Sequence, residues 1–338
     1  MHADHPDRGW LTGVVKDIDS WLDQRVSTPT SQLVAGGAVA RGEERLSALH
    51  DGRPALLMPS ATYALWVALR TLGVRPGDEV LIPQHDWTAS LAVVFALGAR
   101  PVVVPTDPAT LTIDPAAAAD LRTAKTRAVI ATHLFGIPAD IPTLQEALPG
   151  VPIVEDCAQA FGSILDGKPV GSLGDAAVFS FGPGKRIDVG ELGALLLRDD
   201  NLYDRALLQS AHPIRQQISG ISAVALSNLS IRPHPLAAVL LSIALDLDDP
   251  RSLIDSRRRM AALLALDTGL PLIGVDSRRG VASAVIPVLA DRVDESMVPA
   301  DIVMRHADVL DIGSVNKGAP IALPLVLLGP AHHLTEVR

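Results

Sequence analysis

"FSFGPGKRIDVGELGALLL", residues 179–197, sets a lysine in a glycine bend between two apolar runs. AAVFSF (176–181) reads as one buried strand and ALLL (194–197) as a second. Gly182, Pro183 and Gly184 force the turn, and Lys185 follows at once. Taking an ammonium out of water is expensive unless it is paired or gives up its proton. The chain has five lysines: Lys16, Lys125, Lys168, Lys185 and Lys317. The other four stand in polar or turn-like surroundings, where a solvated charge is the expectation. Lys185 therefore asks for a chemical reason. An amine held in a dry pocket loses its proton more easily and can attack a carbonyl to form a Schiff base.

Upstream of this stretch, short apolar strands alternate with helical patterns. ALLM (55–58), EVLIP (79–83), PVVVP (101–105), RAVIAT (127–132) and VPIVE (151–155) read as strands. Residues 62–72, 87–97 and 141–148 have helical apolar spacing, and the first two stop at Gly73 and Gly98. Such alternation predicts an α/β fold with a mostly parallel sheet covered by helices on both faces. Ligands of such sheets sit beyond the carboxyl ends of the strands. From about residue 201 helices take over, notably 236–247 and 253–266. A strand-like ASAVIPVLA (282–290) and a helix expected from Pro299 close the chain. We expect an N-terminal arm over 1–35, a large domain over 36–248 and a smaller α+β domain over 249–338.

Composition narrows the function classes. Of 338 residues, 48% are hydrophobic and 20% charged, enough for a large core. A formal charge of -9 without a basic tract argues against nucleic acid and anionic membranes as partners. Cys157 is the single cysteine, so neither an intrachain disulfide nor a cysteine zinc cluster is expected. The first residues, MHADHPDRGW, lack the pattern of a secretion signal, and no apolar run is long enough to span a bilayer. A cytoplasmic protein is the expectation. The histidines are scattered, with no metal constellation, and His332-His333 reads as a solvated tail.

Four groups of residues could carry chemistry. Ser60 and Thr62 stand where a strand gives way to a helix, a place that favours anions, although ordinary capping explains them as well. Trp87, in QHDWTAS, follows the strand EVLIP and could stack on a flat heterocycle or simply fill the rim. Gln84, His85 and Asp86 beside it are candidate substrate contacts, or loop polarity. Asp156 closes an apolar strand and needs a cation, or caps the next turn; Gln159 follows. Ser180 and Lys185 complete the set. Together they amount to anion donors, an aromatic plate, an acid and an amine. Pyridoxal phosphate needs all four: a helix start for its phosphate, a stacking partner, a carboxylate at its pyridine nitrogen and a lysine at its aldehyde.

The order and wording of the motifs resemble the DegT/DnrJ/EryC1/StrS family of fold-type I, pyridoxal phosphate-dependent aminotransferases, best known for sugar aminotransferases. "SGTAAL" of that family corresponds to SATYAL (60–65), and "LGVGPGDEVI" to LGVRPGDEVL (72–81). "HLYGQPADM" corresponds to HLFGIPADI (133–141), and "VIEDAAQAHGA" to VPIVEDCAQAFGS (151–163). "VGSLGDAACFSFHPxKxxxxGEGG" corresponds to VGSLGDAAVFSFGPGKRIDVGELG (170–193). The resemblance runs from about Gly36 to about Arg232. It implies a seven-stranded-type, mostly parallel sheet. It also implies that Lys185 and Asp156 are catalytic, with Asp156 at the pyridine nitrogen, Gln159 near the 3-hydroxyl and Trp87 on the ring. Ser60, Ala61, Thr62 and Ser180 would hold the phosphate. Asn228 would reach the phosphate of a partner subunit in a homodimer, and His85, Asp86 and Arg232 would face substrate.

The implied activity is amino transfer from an amino acid, glutamate or glutamine, to a ketone of a sugar-like or other small biosynthetic metabolite, antibiotic pathways included. Alternatives are a dehydratase on the same scaffold, which generally carries histidine in place of the lysine, and a regulatory cofactor-binding protein. Ala61, Phe161 and Leu192 depart from the family wording, and the C-terminal portion is shorter than usual.

Overall fold

The strand-like apolar runs of the first two hundred residues become strands, and all of those in the main sheet but the antiparallel ALLL (194–197) open their carboxyl ends on one edge. In the computed structural model, residues 36–226, 228–248 and 250–268 are described, with Lys16, Asp19 and short pieces between 273 and 328. The strands are β1 (Ala55–Met58), β2 (Glu79–Pro83), β3 (His85–Asp86), β4 (Arg100–Val104), β5 (Thr126–Thr132) and β6 (Ile153–Asp156). A small hairpin follows, β7 (Ile164–Leu165) with β8 (Lys168–Pro169), and then β9 (Ala176–Ser180) and β10 (Gly193–Leu197). Seven of them form one sheet in the order β1-β10-β9-β6-β5-β2-β4. Only β10 runs against its neighbours in that sheet. The α/β class with a mostly parallel sheet is as the alternation predicts, and the seven strands are as the resemblance implies.

Register places the chemistry. Thr132 is level with Asp156, and Asp156 with Val178, so β5 and β6 end together and β9 runs two residues further, to Ser180. The antiparallel β10 begins where the others end, with Gly193 level with both Ser180 and Met58. The helix Ala61–Thr71 starts three residues after β1 and buries Ala64, Leu65, Val67, Ala68 and Leu69 on the sheet. The helices Ala38–Leu49 and Pro235–Leu247 pack with a second apolar cluster that includes Phe161, Phe179 and Phe181. A third cluster lies under Pro115–Leu121 and Ile141–Ala147.

Two expectations shift. The helix after EVLIP spans Thr88–Ala96, with Trp87 as its N-terminal flanking residue rather than inside it. The helix expected from Pro299 lies mostly outside the described residues, and its described part, Val303–Arg305, is a strand paired with Leu325–Leu328. Pairing with a distant strand overrides local spacing there. The arm over 1–35 lies outside the described residues save Lys16 and Asp19. No helix among the described residues is long and apolar enough to cross a membrane.

A buried brace fixes the end of β6. Glu155 is fully buried and accepts the Gly171, Leu173 and Gly174 N–H groups at 2.6–2.9 Å. His133, also fully buried, lies 3.1 Å from the same carboxylate through Nε2. Because the Ala139 N–H donates to His133 Nδ1 at 2.9 Å, the ring proton sits on Nε2 and points at Glu155. Burial alone would raise the Glu155 carboxyl. The bonds from His133 and the backbone outweigh it and hold it below the ordinary range. The segment 170–174, which leads into β9, is thereby tied to the strand carrying Asp156. Glu155→Ala should leave four donors without partners and lower stability by about 3 kcal/mol or more, read as a drop in thermal midpoint.

Candidate active site

The pocket at the carboxyl edge of the sheet is lined by Ser60, Ala61, Thr62, Trp87, Thr132, Asp156, Gln159, Ser180, Lys185 and Glu191, with Leu65, Ala89, Ala158, Gly182 and Pro183 between them. At one end stands the first turn of the helix Ala61–Thr71, whose leading N–H groups have no partner within the helix. Ser60 caps this turn, its hydroxyl accepting the Tyr63 N–H at 3.4 Å. The start of β10 presses on this end. A Cβ at Gly193 would lie 2.3 Å from the Ser60 carbonyl carbon and 2.5 Å from the Ala61 nitrogen. Only glycine admits that approach.

At the other end Asp156 is 6% exposed and takes the Ala158 N–H at 3.0 Å. Burial pushes its carboxyl above the usual range, against the pull of that amide, Lys185 and His133. Gln159 fixes the neighbouring backbone. Its Oε1 accepts the Phe135 N–H at 2.7 Å, where Phe135 holds a left-handed conformation at φ 55°. That bond leaves the NH2 group as the free end of the Gln159 side chain.

Lys185 rises from a bend built on Gly184 and Gly190, both with positive φ. Asp188 clamps the bend by accepting N–H groups from both glycines, at 3.3 and 2.9 Å. The amine sits 5.7 Å from the Trp87 ring centroid. Burial depresses the Lys185 amine, while the charges of Asp156 and Glu191 hold it up in part. Next along the chain, Arg186 pairs with Asp248 at 2.5 Å and donates to the Phe161 carbonyl at 2.9 Å. The bend is thereby pinned to the junction before the helix Pro250–Thr268.

The structure thus brings Ser60, Ala61, Thr62, Trp87, Asp156, Gln159, Ser180 and Lys185 into one pocket. Four expected contacts stand elsewhere. Asp86 is fully buried beneath the pocket wall, and His85 faces Thr106 Oγ1 at 2.6 Å. Both belong to β3, which pairs with Leu310–Asp311, and neither is among the residues that line the pocket. Arg232 is exposed outside it. Asn228 donates its amide to the Leu208 and Ala211 carbonyls at 3.3 and 2.8 Å, within its own chain. Sequence reasoning gave no role to Thr132 or Glu191. A threonine closing an apolar strand was the available signal for the first.

His133, Glu155 and Cys157 are a buried group of metal-ligand types, with atoms within 4.8 Å of one another. Both nitrogens of His133 and the Glu155 carboxylate are already engaged in the brace. Their chemistry is that of a structural network.

Comparison with known proteins matches residues 22–265 to the DegT/DnrJ/EryC1/StrS aminotransferase family. The chain belongs to this family. Among DegT/DnrJ/EryC1/StrS relatives, L-glutamine:scyllo-inosose aminotransferase of Streptomyces griseus is 38% identical over 49% of this chain and 40% of its own length. The 3-amino-5-hydroxybenzoate synthase of Amycolatopsis mediterranei is 34% identical over 70% of this chain and 63% of its own. A crystal structure of 3-amino-5-hydroxybenzoic acid synthase superposes with a TM-score of 0.78 at 26% identity, covering 97% of this chain and 92% of that one. The aligned stretch covers under two thirds of either curated relative.

The depressed amine gives a direct test. Lys185 should react with an amine-selective acylating reagent at a lower pH than Lys125 or Lys168, followed by mass spectrometry. Asp156→Asn removes a charge that holds the proton on, so it should move Lys185 labelling to still lower pH.

Proposed function

We propose that this chain is a pyridoxal phosphate-dependent aminotransferase. One observation carries the reading: a desolvated amine, Lys185, and a desolvated carboxylate, Asp156, share a pocket that opens on a helix start. The fit is testable on the protein's own atoms. Asp156 is buried with its carboxyl pushed up, the state of an acid waiting for a cation. A protonated pyridine nitrogen supplies that cation. Gly193 lets the backbone of Ser60 and Ala61 close in, so amide donors and the Ser180 hydroxyl line the phosphate end.

When bound, the cofactor supplies an electron sink for carbanion chemistry. The chain's residues do the rest. Asp156 would hold the pyridine nitrogen in its protonated form, Trp87 would stand against the ring and Gln159 would offer its amide beside it. Lys185 would hold the cofactor through its amine and, when that amine is free, would serve as the general base and acid of the pocket. A depressed amine suits that exchange, because it gives up its proton more readily than a solvated lysine does.

Relatives whose names specify L-glutamine with inosose ketones support an amino acid donor and a sugar-like or cyclitol-like ketone acceptor in antibiotic-type biosynthesis. In this reading residues 36–248 hold the cofactor, 249–338 form a smaller domain, and 1–35 an arm. Exposed Tyr63, Leu226 and Leu229 support a homodimer. A cytoplasmic setting suits the one cysteine, which is buried and free.

Lys185→Ala should abolish transamination, a fall of about 10³-fold or more, while the melting midpoint stays close to that of the parent. Borohydride treatment of the cofactor-saturated protein should place the label on Lys185 alone. A normal rate in Lys185→Ala would refute the reading. Asp156→Asn should weaken cofactor binding and slow the proton transfer by roughly 10²-fold, seen in single-turnover kinetics.

A further inference from the structure

The residue after Lys185 does not line the pocket. The Arg186 side chain is 15% exposed and serves two other segments at once. Nη2 donates to Asp248 Oδ1 at 2.5 Å, just past the helix Pro235–Leu247, and Nη1 donates to the Phe161 carbonyl at 2.9 Å. Phe161 stands two residues beyond Gln159, on the turn that follows Asp156. Gly162 makes room for this approach. A Cβ there would collide with Arg186 Nη1 and stand 2.7 Å from Pro250 Cβ. The Phe161 ring meets Phe179 and Phe181, which lead into the lysine bend, nearly edge-on at 5.8 and 5.5 Å between centroids. Ring and carbonyl of one residue are thus held by the segment that carries the amine.

Among the described hydrogen bonds, those of the bend's own backbone stay inside it. The Lys185 N–H reaches the Gly182 carbonyl at 3.2 Å, the Val189 N–H reaches the Phe181 carbonyl at 3.0 Å, and Asp188 takes Gly184 and Gly190. These bonds give the bend its shape but not its place. Ile187 and Val189 bury it in an apolar cluster, which is a non-directional hold. Arg186 supplies direction, because its planar fork holds two acceptors at fixed angles. Consecutive Cα atoms are about 3.8 Å apart, so the Lys185 backbone cannot drift without drawing Arg186 off an acceptor.

We propose that Arg186 is a positioning residue for the pocket amine. By holding the Phe161 carbonyl and Asp248 together, it fixes the lysine bend against the turn that carries Asp156 and Gln159, and so keeps Lys185 Nζ in the pocket at a set reach. Its effect on a rate rests on the function proposed above; its hold on Lys185 does not.

Asp248→Ala tests that hold in the full chain without cofactor. The substitution removes one acceptor, at a position outside the pocket. Two effects on the acylation of Lys185 then differ in sign. Loss of a negative charge alone would leave labelling where it is or move it to lower pH. Release of the bend lets the amine reach water, so labelling moves to higher pH, towards that of Lys125 and Lys168. We expect the second, with Lys125 and Lys168 unmoved and a melting midpoint within about 4 °C of the parent. Arg186→Gln should act in the same direction. The double variant should go no further than Arg186→Gln, because the two residues form one tie.

A rate measurement uses the cofactor-loaded chain with L-glutamine as donor. Single turnover at saturating donor should slow by about 10-fold in Asp248→Ala, with half-saturation within about twofold of the parent. A pair that only stabilises the fold would lower the melting midpoint and leave both readings alone. Labelling at the parental pH or below in both variants, or weaker donor binding at an unchanged rate, would overturn the proposal. A loaded parent inert towards L-glutamine counts against the function proposed above, and the labelling then decides the role of Arg186 by itself. If one variant does not fold, the other carries both readouts.

Discussion

Keeping water from Asp156 and Lys185 at once is the constraint on which the rest of this structure depends. Neither charge is comfortable in the pocket. Burial pushes the carboxyl of Asp156 up and the amine of Lys185 down, and each only partly relieves the other. Such mutual discomfort costs folding free energy, and the molecule offsets it elsewhere. The sheet core behind the pocket is continuous and apolar, and the carboxyl ends of β5 and β6 stop at one level.

Adjacent residues of β6 take opposite parts in this arrangement. Successive side chains of a strand point to opposite faces. Glu155 therefore enters the clamp of His133 and three amides, while Asp156 enters the pocket. The first acid is saturated with donors and its carboxyl is held down. The second is starved of them and its carboxyl is pushed up. The contrast of environment, not of residue type, separates a brace from a reactive group.

Most of the fold was legible because the strands are short, apolar and punctuated by glycine. ALLM and EVLIP coincide with β1 and β2, and the lysine bend lies where the glycines required it. Most of the pocket-lining residues were legible for the same reason: Asp156 and Ser180 close strands, and Ser60, Ala61 and Trp87 stand at helix starts. The placement of His85 and Asp86 was not legible, because a polar, loop-like stretch can meet a substrate or simply serve the loop. They form a two-residue strand paired with Leu310–Asp311, more than two hundred positions away, and Asp86 is buried. Long-range pairing of that kind leaves no local trace in a sequence. Thr132 gave only a faint one, a hydroxyl where an apolar strand stops.

The backbone contact between Gly193 and Ser60 binds two remote stretches into one part. A chimera that borrows residues 58–62 from a relative without also borrowing the start of β10 would join surfaces shaped for different partners. Loop grafting at this end of the molecule has to move both pieces together or neither.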